Sequence, residues 1–151
     1  MLTGQDGESG VQYLAYALND QPGETRYAEP FRVAQHGPHR LVTFGYDNVN
    51  NRNRSEGTFL VDATPPEISE NFSIGTTAAG AYLPSVTIFL SATDQDPGIK
   101  GAFYRIDGGP ERAYAGSGGG FKPGRSYQVT VRAVDGVDNE ATKTIRFDTA
   151  E

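Results

Sequence analysis

The chain matches itself at a spacing of 88 residues. At that spacing Leu2, Asp6, Gly10 and Tyr16 fall on Leu90, Asp94, Gly98 and Tyr104. Like-for-like pairs surround them: Glu8 with Asp96, Val11 with Ile99, Leu18 with Ile106, Asn19 with Asp107. Further along, Asp47, Val49 and Asn51 fall on Asp135, Val137 and Asn139. The last matching segments, Phe59 to Thr64 against Ile145 to Ala150, agree best at a spacing of 86. That slip places a two-residue insertion in the first copy near Asn51-Arg52-Asn53-Arg54. Matches in the same order along the chain mean one module written twice. A length of 151 residues allows two small domains, and the repeat sets them at 1–63 and 64–151.

Each copy reads as short strands. Val86, Ile88 and Leu90 alternate with Thr87, Phe89 and Ser91. Tyr127, Val129, Val131 and Ala133 alternate with Gln128, Thr130 and Arg132, which gives one half-buried face. Phe103 to Asp107 and Ile145 with Phe147 complete the second copy. The first copy offers Tyr13 to Leu18, Arg26 to Val33, Leu41 to Tyr46 and Phe59 to Val61. Glycine (19) and proline (9) punctuate the strands, and no segment keeps a 3.6-residue apolar period. The expected fold is all-β, with antiparallel sandwiches.

Composition removes several functions. A net charge of −6 opposes a nucleic-acid surface, which needs cations to displace counterions. With no cysteine there is no disulfide, thiolate metal site or thiol nucleophile. No apolar run is long enough for a membrane helix. The first residues, Met1-Leu2-Thr3-Gly4-Gln5-Asp6, show no export-signal pattern, so a signal is expected outside this chain.

Asp62-Ala63-Thr64-Pro65-Pro66, together with Tyr127-Gln-Val-Thr-Val-Arg-Ala-Val-Asp135 and the following Gly136-Val137-Asp138-Asn139, resembles bacterial immunoglobulin-like tandem repeats. The Tyr127 strand is also similar to the penultimate strand of fibronectin type III domains, whose tyrosine makes a corner hydrogen bond. The first copy has His39 at that place. The resemblance implies two tandem immunoglobulin-like sandwiches. The first would lack its N-terminal strand or strands, because 26 residues separate Thr64 from the start of the match at Leu90 and only Met1 precedes Leu2. A truncated array or a strand given by a neighbour would each account for this.

The resemblance also implies that Asp94 and Asp96 share one pole of the second sandwich with Asp135, Asp138 and the incoming segment Asp62 to Glu67. Carboxylates gathered there are the hard oxygen ligands that calcium takes. The matching set in the first copy is Asp6, Glu8, Asp47 and Asn51. The competing reading is that these are turn residues whose side chains cap local backbone.

Other groups point to less chemistry. His36 and His39 flank Gly37-Pro38 with no third zinc ligand. Ser9 lacks a nucleophile elbow, and Gly116-Ser117-Gly118-Gly119-Gly120 lacks the lysine–serine ending of a phosphate loop. Absence of tryptophan weakens sugar binding, although exposed coplanar tyrosines on one sheet face would favour it. No catalytic set is readable, so a non-enzyme is expected: a spacer, adhesive or fibre-building module of an extracellular or cell-surface protein. Its partners would be neighbouring modules or identical subunits. The alternative is a carbohydrate- or protein-binding accessory module of a secreted enzyme, with a surface glycan or protein as ligand.

Overall fold

The computed structural model describes all residues, Met1–Glu151, and divides them into two compact units, Met1–Ala63 and Thr64–Glu151. There is no helix. Unit 1 holds β1 (Val11–Leu18), β2 (Thr25–Arg26), β3 (Gly37–Asp47) and β4 (Arg52–Val61). Unit 2 holds β5 (Glu67–Phe72), β6 (Ile88–Thr93), β7 (Ile99–Ile106), β8 (Arg112–Ala113), β9 (Ser126–Asp135) and β10 (Glu140–Asp148).

Each unit carries an antiparallel four-stranded sheet, ordered β2-β1-β3-β4 in unit 1 and β8-β7-β9-β10 in unit 2. Registers of β1, β3 and β4 coincide with those of β7, β9 and β10 at a spacing of 88, whereas β2 and β8 pair one residue out of that frame. Ala15 pairs with Phe44 as Phe103 pairs with Arg132, and His39 pairs with Phe59 as Tyr127 pairs with Phe147. A bulge interrupts β1 between Val11 and Tyr13 and β7 between Ile99 and Gly101. The spacing of 86 at the chain ends is thereby corrected: no two-residue insertion separates the copies near Asn51 to Arg54. A slip of two leaves every side chain on the same face, so apolar alternation cannot register it. Arg52-Asn53-Arg54 accordingly lies in β4 and not in a loop. The strand expected over Arg26 to Val33 stops at Arg26. Pro30, which has no N–H for a ladder, follows shortly.

Unit 2 is a sandwich. A two-stranded layer, β5-β6, lies against β7, β9 and β10. Between the layers Val86, Ile88, Phe121, Tyr127, Val129, Val131, Ile145 and Phe147 are buried, and Ile68, Phe72 and Leu90 of the small layer pack on them. Unit 1 has no second layer. Its buried residues are Ala15, Val42 and Phe44, supported by Tyr13, Ala17 and Tyr46. By register these sit on the opposite sheet face, the one that in unit 2 carries Phe103, Arg132 and Val134.

Candidate functional site

The recurring acidic residues build one turn twice. In unit 1 the β3–β4 connection runs Asp47-Asn48-Val49-Asn50-Asn51. Asp47 Oδ1 accepts hydrogen bonds from the Val49 and Asn51 backbone N–H at 2.9 and 2.7 Å, and Oδ2 accepts from Asn51 Nδ2 at 2.7 Å. In unit 2 Asp135 Oδ1 accepts from Val137 and Asn139 at 2.9 and 2.8 Å, and Oδ2 from Asn139 Nδ2 at 2.7 Å. The fourth residue is left-handed in both, Asn50 at φ 66° and Asp138 at φ 69°, a conformation that asparagine and aspartate tolerate best after glycine. Asp135 is fully buried and Asp47 nearly so. Burial alone would raise the Asp47 carboxyl. The bonds from Asn51, Ser9 and Val49 outweigh it and hold Asp47 below the ordinary carboxylate value.

The neighbouring loop repeats less faithfully. Asp6 Oδ1 accepts from the backbone of Glu8 at 2.8 Å and Ser9 at 3.1 Å, which lowers its pKa, the Glu8 bond contributing most. The Ser9 hydroxyl lies 3.2 Å from Asp6 Oδ2 and 2.9 Å from Asp47 Oδ2, so one hydroxyl joins the two acids. In unit 2 Asp94 Oδ1 accepts from Asp96 N at 3.0 Å, and Pro97 stands where Ser9 stands. There a carboxylate oxygen of Asp94 comes within 4.8 Å of one of Asp135, with no hydroxyl from that position between them. Asp138 turns to Lys100 Nζ at 2.5 Å, and Glu67, at the head of β5, is exposed. Glu8 and Asp96 are exposed as well, and Asp62 meets His36 Nδ1 at 3.2 Å. Asp94 and Asp135 are thus the acids of the unit 2 set whose carboxylate oxygens approach each other.

The histidines separate. His39 is buried, with Nε2 at 2.7 Å from the Gln35 carbonyl and Nδ1 at 3.1 Å from Asn19 Nδ2. The same corner in unit 2 is tied by Lys122 N donating to the Tyr127 hydroxyl at 2.7 Å. Histidine therefore does in unit 1 what the tyrosine corner does in unit 2, reaching back to the chain just before its own strand.

Two further devices escape a reading by residue type. Asn19 and Asp107 are left-handed, and their side-chain Oδ1 accepts from Arg40 N (3.0 Å) and Gln128 N (2.8 Å) respectively. Tyr27 and Tyr114 hydroxyls accept from Leu2 N (3.3 Å) and Leu90 N (2.9 Å). Asn19 and Asp107 were visible as a match at 88; Tyr27 and Tyr114 are separated by 87 and drop out of that frame.

Tyrosines on the outer face of unit 1 do not present free rings. Tyr13 and Tyr46 stack on each other at 4.5 Å. Arg26 lies over Tyr13 at 4.9 Å, and Arg52 over Phe44 at 4.2 Å and Tyr46 at 5.9 Å. The Tyr46 hydroxyl donates to Glu24 at 2.8 Å, and Glu24 also binds Arg52. In unit 2 Arg132 covers Phe103 at 4.6 Å and holds Glu111, which also takes Arg105. Hydrogen bonds from Arg132 and Arg105 lower the Glu111 pKa to about 2.

A hollow of about 380 Å³ lies on the inner face of unit 1. Leu2 to Asp6 form one wall, and Leu14, Thr43, Gly45, Asn53 and Ser55 form much of the floor.

No protein family matches the chain by sequence, and no curated protein matches it. Among solved structures it is similar to fibronectin(III)-like modules of Clostridium thermocellum CbhA, at 16% identity and a TM-score of 0.42, over 97% of this chain and 82% of that one.

Proposed function

We propose that the chain is a pair of structural modules of a larger extracellular or cell-surface protein, acting as spacer or building block through contacts with neighbouring modules. The observation that carries this reading is the use to which recurring polar side chains are put. Asp47 and Asp135, Asn51 and Asn139, Asn19 and Asp107 all hydrogen-bond the backbone of their own unit. What is duplicated is scaffold geometry. The resemblance to bacterial immunoglobulin-like repeats supports the surface setting.

The accessory sugar-binding alternative needs ring faces open to a ligand. On unit 1 those faces are taken by the Arg26–Tyr13–Tyr46–Arg52 ladder. A glycan array probed with the whole chain tests both readings. The module reading expects no saturable glycan. A glycan whose binding is lost in Tyr13→Ala or Tyr46→Ala would replace it with the accessory-module reading. Protease accessibility of the parent protein on intact cells checks the surface setting.

A further inference from the structure

His39 is a buried side chain that can gain a charge, and both of its ring nitrogens have assigned partners. It sits near the start of β3, 5% exposed, with its ring stacked on Phe59 of β4 at 5.4 Å. Nε2 lies 2.7 Å from the Gln35 carbonyl, which only accepts, so Nε2 carries a hydrogen. Nδ1 lies 3.1 Å from Asn19 Nδ2, which only donates, so Nδ1 keeps its lone pair. The Asn19 amide is not free to turn over. Its Oδ1 accepts from the Arg40 backbone N–H at 3.0 Å, and turning it would set one donor against another. Asn19 N also donates to the Arg40 carbonyl at 2.7 Å, so the residue is held from both sides. This network admits one form of the ring: neutral, with its hydrogen on Nε2.

A second proton has no place here. On Nδ1, in a ring nearly closed to water, it would face the hydrogens of Asn19 Nδ2. Both polar contacts of the ring are neutral. Charged groups on the surrounding elements are paired with one another. Arg40, next in β3, directs its guanidinium to Asp20 after β1 and to Glu56 of β4, and His36 in the approach to β3 meets Asp62. Unit 2 builds the same corner without an imidazole. Tyr127 replaces His39, its hydroxyl accepting from Lys122 N at 2.7 Å, and Asp107 replaces Asn19.

We propose that His39 is a proton-operated latch of unit 1. In its neutral form the ring ties the end of β1, through Asn19, to Gln35 in the approach to β3. Protonation makes Nδ1 a donor facing a donor, so the contact with Asn19 breaks and the corner opens. Unit 2, with Tyr127 in that place, keeps its corner closed in the same acid. One module of the pair therefore loosens, and it does so where imidazole ordinarily titrates, around pH 6.5. The latch lies wholly inside unit 1 and does not depend on the surface setting proposed above.

The test uses the whole chain carrying His36→Gln, which removes the only other histidine. Nitrogen NMR in mild alkali, at about pH 8, reads the tautomer. Methyl signals of Val42 in unit 1 and Val131 in unit 2 follow the two melting transitions separately. The expected tautomer has its hydrogen on Nε2. Between about pH 8 and about pH 5.5 the unit 1 transition is expected to fall by at least about 4 °C, and that of unit 2 by less. Asn19→Asp is the decisive variant, because Asp107 already takes this place in unit 2 with the same left-handed backbone. Its carboxylate keeps an acceptor for Arg40 N and offers another to a protonated Nδ1. Acid is therefore expected to raise the unit 1 transition in that variant. A hydrogen found on Nδ1, a unit 1 transition that holds or rises in acid while Asn19 is present, or one that still falls in Asn19→Asp, overturns the proposal.

Discussion

Units 1 and 2 share strand register, bulge and turn chemistry, and they bury opposite faces of the same sheet. In unit 2 the inner positions Val129, Val131, Ala133, Ile145 and Phe147 are closed off by a second layer. The positions in register with them in unit 1 are Leu41, Thr43, Gly45, Gly57 and Phe59, and Phe59 stays 37% exposed where Phe147 is 8% exposed. Unit 1 instead buries Ala15, Val42 and Phe44 beneath arginines stacked on the outer face. The lesson is that connections and bulges specify which strands pair. The choice of buried face is made separately, by what lies over the sheet.

The sharpest way to break this comparison is to truncate matched inner positions. Ile145→Ala should destabilise unit 2 by about 2–5 kcal/mol, the cost of a cavity in a closed core. Gly57→Ala, in register with it, should stabilise unit 1 by roughly 0.5–1 kcal/mol, because alanine restricts the unfolded chain and nothing lies within 4 Å of the new Cβ. Urea denaturation of the two variants reads opposite signs, and equal losses would mean that unit 1 also has a closed core.

Asp135→Ala comes next. It removes the acceptor that the Val137 and Asn139 backbone N–H and the Asn139 amide share, and should cost unit 2 roughly 2–3 kcal/mol. The same change at Asp47 should act in the same direction with a smaller shift in melting temperature, because that turn borders the open hollow. A larger shift at Asp47 would reverse the ranking.

Acid separates the outer faces. The folded Glu111 pKa of about 2 lies below its ordinary 4.5 because of Arg132 and Arg105. Its stabilisation is therefore present above about pH 4.5 and lost as pH falls through 2. The melting advantage of the unaltered protein over Glu111→Gln should be full at pH 6 and gone at pH 2. An advantage that stays constant over this range would remove the charge from the account.

The smallest expected effect is that of calcium. At millimolar concentration it should raise the melting temperature of unit 2, where Asp94 and Asp135 approach each other, and leave unit 1 unchanged, where the Ser9 hydroxyl already joins Asp6 to Asp47. Ser9→Pro should then make unit 1 respond, and no response from unit 2 ends the calcium reading.

Much of this was legible from residues alone, in a particular way. The strand over Tyr127 to Ala133 was plain because apolar residues alternate on a face that is truly covered. The all-β class followed from the same alternation and the density of turn residues. β5 was not read, since Glu70 interrupts its apolar alternation and is neutralised only by Lys143, 73 residues away in the chain. Arg52 to Arg54 carried an apparent insertion and no strand signal, because charges there serve the outer face, stacking on Phe44 and pairing with Glu56. The acidic positions were found as a pattern. Their division between backbone capping and a close carboxylate pair depends on Ser9 against Pro97, a difference with meaning only once both loops are folded.

Gly4 is seated so close to Leu14 that an added Cβ would stand 2.9 Å from Leu14 Cδ2, which has a consequence for how such copies diverge. Unit 2 carries alanine at both matching positions, 92 and 102. A bulky residue in one strand is met by an empty place in the other, and Gly4→Ala would turn the Leu14 side-chain end aside. Segments of the two copies should thus exchange more readily as facing pairs than as single strands. What is inherited between repeats is a shared volume, divided differently in each descendant.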